Sequence, residues 1–221
     1  MPVWNEQVAL VTGASGGIGS AIALELARRG AAVAVHYRRG ANRAQAVCEA
    51  IEEKAISDQP SAVSDQPSAI SDQQSEIRNQ RLAVGNQESA DDNRKSKIQN
   101  LKSPIRAFPV CADLGEAAQV DAMIASVVER FGRLDILVNS AGYFEDHLLG
   151  FIKPEDWERM IRTNLTGAFL TCRAAVREML AQRYGRIINV ASVSAWLCPP
   201  GQSNYAATKA GLIALTKSLA K

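Results

Sequence analysis

The sequence predicts a doubly wound α/β fold, a parallel sheet with helices on both faces. Short, continuously apolar runs alternate with amphipathic stretches along most of its 221 residues. The runs carry no polar alternation, the mark of strands buried on both sides. A glycine-rich turn joins the first run to the first amphipathic stretch, as expected where a strand feeds a crossover helix.

In order, Val8 to Val11 reads as a buried strand and Ile18 to Arg29 as a helix stopped by Gly30. Ala32 to Val35 is a second strand and Ala41 to about Ala55 a second helix. Ala107 to Cys111 is a third strand. A helix follows in which Val120, Met123, Ile124, Val127 and Phe131 recur at three- and four-residue spacing on one face. Ile136 to Asn139 is the fourth strand. One long helix is expected to carry Trp157, Met160, Ile161, Leu165, Phe169 and Val176. Ile187 to Ala191 is the fifth strand, and a last helix runs from about Ser203 to the end.

Residues 56–102 break this rhythm. Ser57-Asp-Gln-Pro-Ser-Ala-Val is followed by two near-copies of itself, beginning at Ser64 and Ser71. Pro60 and Pro67 disfavour a helix, and each repeat offers too little apolar surface for a coiled coil. A disordered or loosely helical insertion within one nucleotide-binding domain spanning 1–221 is the expectation.

Composition narrows the function. Hydrophobic residues make up 47% and charged residues 22%, ordinary proportions for a soluble globular protein. A net charge of +2 gives no footprint for nucleic acid or an anionic membrane. Cys48, Cys111, Cys172 and Cys198 are scattered, with no metal-like clustering alongside the two histidines. The start lacks a basic segment followed by an apolar run, and no stretch reaches the ~18 apolar residues of a membrane span. These features point to a cytoplasmic protein with neither metal nor membrane partner.

Two groups of residues carry chemistry. In Thr12-Gly-Ala-Ser-Gly-Gly-Ile-Gly19, glycines let the backbone approach a pyrophosphate, and the helix start offers free N–H groups and a positive dipole end. Gly13, Ser15, Gly17, Ile18 and Gly19 are therefore candidate cofactor contacts. At the end of the second strand, His36-Tyr37-Arg38-Arg39 has no acid to hold the ribose hydroxyls of NAD. Arg38 suits the 2′-phosphate of NADP instead, so NADP(H) is favoured over NAD(H). The second group is Tyr205 and Lys209, four apart and so on one helix face. A free phenol ionises near pH 10, and an adjacent ammonium stabilises its anion, which makes tyrosine a usable acid and base. Ser192 closes the fifth strand on the side where ligands bind such sheets.

Together these motifs resemble the short-chain dehydrogenase/reductase family, a Rossmann fold, over Val3 to Lys221 apart from the insertion. The likeness rests on Thr12-Gly-x-x-x-Gly-x-Gly19, on Asn139-Ser140-Ala141-Gly142 (serine replacing the family's second asparagine) and on Asn164, Ser192, Tyr205 and Lys209. The resemblance implies a catalytic tetrad of Asn164, Ser192, Tyr205 and Lys209. Tyr205 would protonate a carbonyl oxygen, Ser192 would bind that oxygen, Lys209 would hold the nicotinamide ribose, and Asn164 would hold a relay water. It also implies cofactor contacts from Asp113, Leu114, Asn139, Ser140 and Gly142, besides Tyr205 and Lys209. No metal is implied.

Asp146-His-Leu-Leu-Gly and the run from Gly185 to Gly211 are similar to 3-oxoacyl-acyl-carrier-protein reductases, while His36-Tyr37-Arg38 is also similar to pteridine reductases. The expected function is NADPH-dependent reduction of a small-molecule or carrier-bound ketone. The alternatives are another NAD(P)-dependent alcohol dehydrogenase or carbonyl reductase, and a nucleotide-binding chain without turnover. The family's fold continues beyond the helix that bears Tyr205, so the expectation is a C-terminally truncated fragment. The resemblance further implies a homo-oligomer, dimer or tetramer, built on the long helix and the last helix.

Overall fold

The computed structural model describes residues 7–57 and 106–221; the expected insertion lies outside them apart from its first two residues, which end a helix. Five strands form one sheet: β1 (Val8–Thr12), β2 (Ala32–Tyr37), β3 (Ala107–Cys111), β4 (Ile136–Asn139) and β5 (Arg186–Asn189). The helices are α1 (Gly17–Arg28), α2 (Ala41–Ser57), α3 (Ala117–Phe131), α4 (Pro154–Ile161), α5 (Gly167–Ala181), α6 (Ser194–Leu197) and α7 (Ser203–Leu219). All neighbouring strands are parallel, in the order β3-β2-β1-β4-β5. The fold is thus the doubly wound one that the apolar runs predict.

The order reverses between β1 and β4, the switch point where such sheets open a ligand crevice. β1 and β4 are buried at every position, so the crevice opens between the two most deeply buried strands of the sheet. One apolar layer gathers Leu10, Leu137, Val120, Met123, Val127 and Leu170 between the sheet and α3 and α5. The other joins Ala9, Val11, Val33, Val35, Leu26 and Ile51 under α1 and α2. Burying each large aliphatic side chain contributes about 1.5–3 kcal/mol, which is why these two layers decide the fold.

Four expectations change. The long helix is not one regular helix: Arg162–Thr166 form a π-helical turn between α4 and α5. That turn shifts the helical register at Asn164, and such bulges commonly mark functional positions. The second strand continues to Tyr37, because His36 and Tyr37 still find partners in Val110 and Cys111. The fifth strand stops at Asn189 rather than Ala191, since β4 ends opposite it at Asn139. β5 also departs from full burial, with Ile188 50% exposed, because among the described residues it pairs with β4 alone. No described helix is long and apolar enough to cross a membrane.

Candidate active site

Gly13 begins the crevice. Its φ of +68° lies in the left-handed region, and a Cβ there would come 2.8 Å from Ala141 Cα. Only glycine satisfies both constraints. Thr12 fixes the opposing segment, its Oγ1 accepting from the N–H groups of Ser140 and Ala141, each at 3.1 Å. α1 then starts at Gly17 with no side chain capping it, so its first N–H groups remain available at the positive end of the helix. A Cβ on Gly17 would meet nothing within 4 Å. Packing therefore does not demand glycine at position 17; bare backbone open to a phosphate explains it better. The residues present fit a dinucleotide.

The same cleft continues past Ser15, His36, Arg38, Asp113, Leu114 and Gly142. Arg38 and Asp113, expected to contact different parts of the cofactor, form an ion pair at 3.2 Å. Asp113 Oδ1 also accepts from the Gly115 N–H at 3.0 Å, which orients the carboxylate. Ile18 is 67% exposed at the start of α1. Asn139 ends β4. Its side chain turns inward, donating to Asn189 Oδ1 at 2.9 Å and accepting from Thr171 Oγ1 at 2.8 Å, and so ties β4 to β5 and α5 instead of facing the cleft.

Three of the four expected catalytic residues, Lys209, Tyr205 and Asn164, are linked by contacts through Phe144 and Tyr143, and Ser192 lies two residues after Val190, the partner of Lys209. Lys209 Nζ lies 5.7 Å from the centroid of the Tyr205 ring. It donates to the Val190 carbonyl at 2.7 Å, two residues before Ser192. Burial disfavours its ammonium and pulls the Lys209 pKa below the usual lysine value. On the other side, the Tyr205 ring packs against Phe144 with centroids 5.9 Å apart. The adjoining Tyr143 backbone is held by Asn164, whose Nδ2 donates to the Tyr143 carbonyl at 2.7 Å and whose Oδ1 accepts the Tyr143 N–H at 3.0 Å. The π turn is what points this buried amide at the loop. Ser192 Oγ accepts from the Ser194 N–H at 3.2 Å, and Ser194 Oγ donates to Gln202 Oε1 at 2.8 Å. Among the described residues, no group of three His, Cys, Asp or Glu side chains could hold a metal ion.

A cleft at the glycine turn, with Tyr143 on its wall held by Asn164 and the adjoining Phe144 stacked on Tyr205, agrees with what comparison finds. The family profile described as short chain dehydrogenase matches residues 7–71 and 68–221. The chain belongs to the short chain dehydrogenase family. It is 38% identical, over 213 residues, to the 3-oxoacyl-acyl-carrier-protein reductase FabG of Staphylococcus aureus strain Mu50, covering 96% of this chain and 67% of that protein. It is 37% identical over 221 residues to the 3-oxoacyl-acyl-carrier-protein reductase of Synechocystis, covering 100% of this chain and 70% of that one. Among solved structures, a dehydrogenase/reductase from Sinorhizobium meliloti 1021 matches with a TM-score of 0.73 at 33% identity, covering 99% of this chain and 67% of the other. A short chain dehydrogenase from Burkholderia cenocepacia J2315 in complex with NADP matches at 0.72 and 31%, covering 99% and 69%.

As a short chain dehydrogenase, the protein is an NAD(P)-dependent oxidoreductase. Residues outside any motif also border the candidate site: Phe144 packs on the Tyr205 ring, and Gln202 accepts from Ser194 beside Ser192. Phe144 and Gln202 were missed because nothing in a single sequence says which loop side chains reach an active site. His36 left a readable trace: it is a polar residue closing the otherwise apolar run Ala32-Val-Ala-Val35.

Proposed function

We propose that this dehydrogenase reduces a ketone with NADPH, and that its substrates are 3-oxoacyl thioesters on acyl carrier protein, converted to the 3-hydroxyacyl form. The observation that carries the reading is the Tyr205–Lys209 pair, linked through Phe144 and Tyr143 to the glycine-turn cleft, with Ser192 two residues beyond Val190, whose carbonyl accepts from Lys209. Bound in that cleft, reduced nicotinamide supplies the hydride to the carbonyl carbon. Tyr205 gives its hydroxyl proton to the carbonyl oxygen, so that an alcohol forms. Ser192 donates a hydrogen bond to the same oxygen and offsets the charge that builds there. Lys209 stabilises the phenolate left on Tyr205 and binds the ribose. Asn164 holds the Tyr143–Phe144 segment against the Tyr205 ring and orders the water that returns the proton.

The identity to two carrier-protein reductases supports the thioester. Arg38 at the adenosine end, and a relative whose structure holds NADP, support NADPH. Half-exposed apolar side chains on α4 and α5, Trp157 and Phe169, support contact with a second copy, and light scattering would show a lone monomer if that is wrong. A cytoplasmic location belongs to the same reading.

The test is NADPH oxidation with acetoacetyl thioester, with the Tyr205→Phe variant as control. Turnover that disappears in the variant is expected. NADPH binding without turnover of 3-oxo thioesters or simple ketones would leave a nucleotide-binding chain instead.

A further inference from the structure

His36 is a buried titratable side chain that the mechanism above leaves without a role. It is 2% exposed at the end of β2. Its Nδ1 lies 3.0 Å from the Gly13 nitrogen and its Nε2 lies 3.1 Å from the Ala112 carbonyl. A backbone N–H can only donate, so Nδ1 accepts, the ring proton sits on Nε2, and Nε2 donates to Ala112. The imidazole is therefore neutral, with one tautomer set by its two partners. Burial pulls its pKa down in agreement with this, against the opposing pull of Ala112 and Asp113.

These partners lie in two different loops. Gly13 is the left-handed residue of the phosphate turn, and Ala112 immediately precedes Asp113 at the adenosine end. The His36 backbone adds a third tie, its carbonyl accepting from the Ala14 N–H at 2.9 Å. A residue needed only to fill the core here could be apolar, as Ala34 is on the same face of the strand. The ring instead uses both nitrogens on loops that border one cleft.

We propose that His36 is a positioning residue for the dinucleotide cofactor, its imidazole holding the Gly13 turn and the Ala112–Asp113 segment at one fixed spacing before the cofactor arrives. This role rests on the reading that the cleft takes NADP(H). Presetting both loops removes an ordering cost from binding. It leaves the chemistry at Tyr205 untouched, so its loss acts on cofactor affinity and not on the hydride step.

The experiment titrates the intact chain with NADPH and NADH by calorimetry and follows the steady-state rate in parallel. His36→Phe keeps the ring shape and removes both hydrogen bonds. It is expected to raise the NADPH Kd and KM about tenfold or more while kcat at saturation stays within about threefold. His36→Asn, whose amide oxygen falls where Nδ1 sits, is expected to restore most of that affinity. His36→Gln reaches Ala112 but not Gly13 and is expected to bind about tenfold more weakly than His36→Asn, a comparison that stands even if the phenylalanine variant fails to fold. A wild-type chain that binds NADPH while the variants bind it equally well overturns the role of His36 alone, as does a loss confined to kcat or to melting temperature. A wild-type chain that binds neither nucleotide overturns the cofactor reading and this role with it.

Discussion

Lys209 aims its ammonium at the carbonyl oxygen of Val190, 2.7 Å away, and so locks the helix bearing Tyr205 to the end of the strand that leads to Ser192. The contact makes one lysine serve two purposes. It places positive charge beside the Tyr205 ring, and it ties the helix that bears Tyr205 to the segment that carries Ser192. Lys209 is 6% exposed, so the charge acts in a medium that screens it poorly.

Replacing it tests both purposes. Lys209→Met is expected to lower kcat/KM for ketone reduction by about 100-fold or more, the scale of general acid–base catalysis. Stability should change less, because losing a buried charge offsets leaving the Val190 carbonyl unpaired, a penalty of about 1–3 kcal/mol. Thermal melting measured beside the rate separates the two effects. A melting temperature that collapses with the rate would make the lysine chiefly a structural tie.

Asn164 should behave in the opposite way. Its amide satisfies both the N–H and the carbonyl of Tyr143 from a position that is 2% exposed. Asn164→Ala strands both groups and is expected to destabilise the fold by about 2–4 kcal/mol, as well as slowing turnover. Asn164→Asp keeps the acceptor for the Tyr143 N–H but sets a carboxylate against the Tyr143 carbonyl, so chemical denaturation should find it little better than alanine. Full stability in the aspartate variant would show that the carbonyl contact is dispensable.

A pH effect on stability follows from His36. Burial holds its pKa below the ordinary 6.5, while in the unfolded chain it titrates near that value. Below pH 6.5 the unfolded chain therefore takes up a proton that the native ring refuses. Stability is full above the histidine range and declines as pH falls through it, until the native ring also protonates. Melting temperatures at pH 7.5 and 5.5 should show the decline, and His36→Asn should show a shallower one. Parallel slopes for the two proteins would assign the decline to other groups.

The parts of this protein legible from sequence are those that depend on local pattern. β1 and β4 are continuous apolar runs buried throughout, and Gly13 announces its turn by lacking a side chain. The Tyr205–Lys209 spacing needs only the pitch of a helix to become a contact. What stayed hidden depends on which distant groups meet. No periodicity reveals that the helix over 154–181 contains a π turn, because Trp157, Met160, Ile161, Leu165 and Phe169 keep three- and four-residue spacings straight across it. The Asn139 motif names the residue but not the partners of its side chain, Thr171 and Asn189, which lie far along the chain and draw it inward. The Arg38–Asp113 pair was equally invisible, since each residue has a plausible separate task.

That pair sets the last prediction, on cofactor choice. Arg38 is about half exposed and its ion pair with Asp113 contributes at most about 1 kcal/mol. A 2′-phosphate carries more charge than a single carboxylate and can draw the guanidinium into a charge-assisted hydrogen bond worth about 1.5–3 kcal/mol. Arg38→Ala should therefore weaken NADPH by about tenfold or more and NADH far less, shrinking the ratio of their kcat/KM values. Raising the salt concentration should narrow the same ratio in the wild type, because the site is open enough to be screened. If Arg38→Ala weakens both cofactors equally, the arginine acts only by orienting Asp113, and the preference for NADPH must come from another residue.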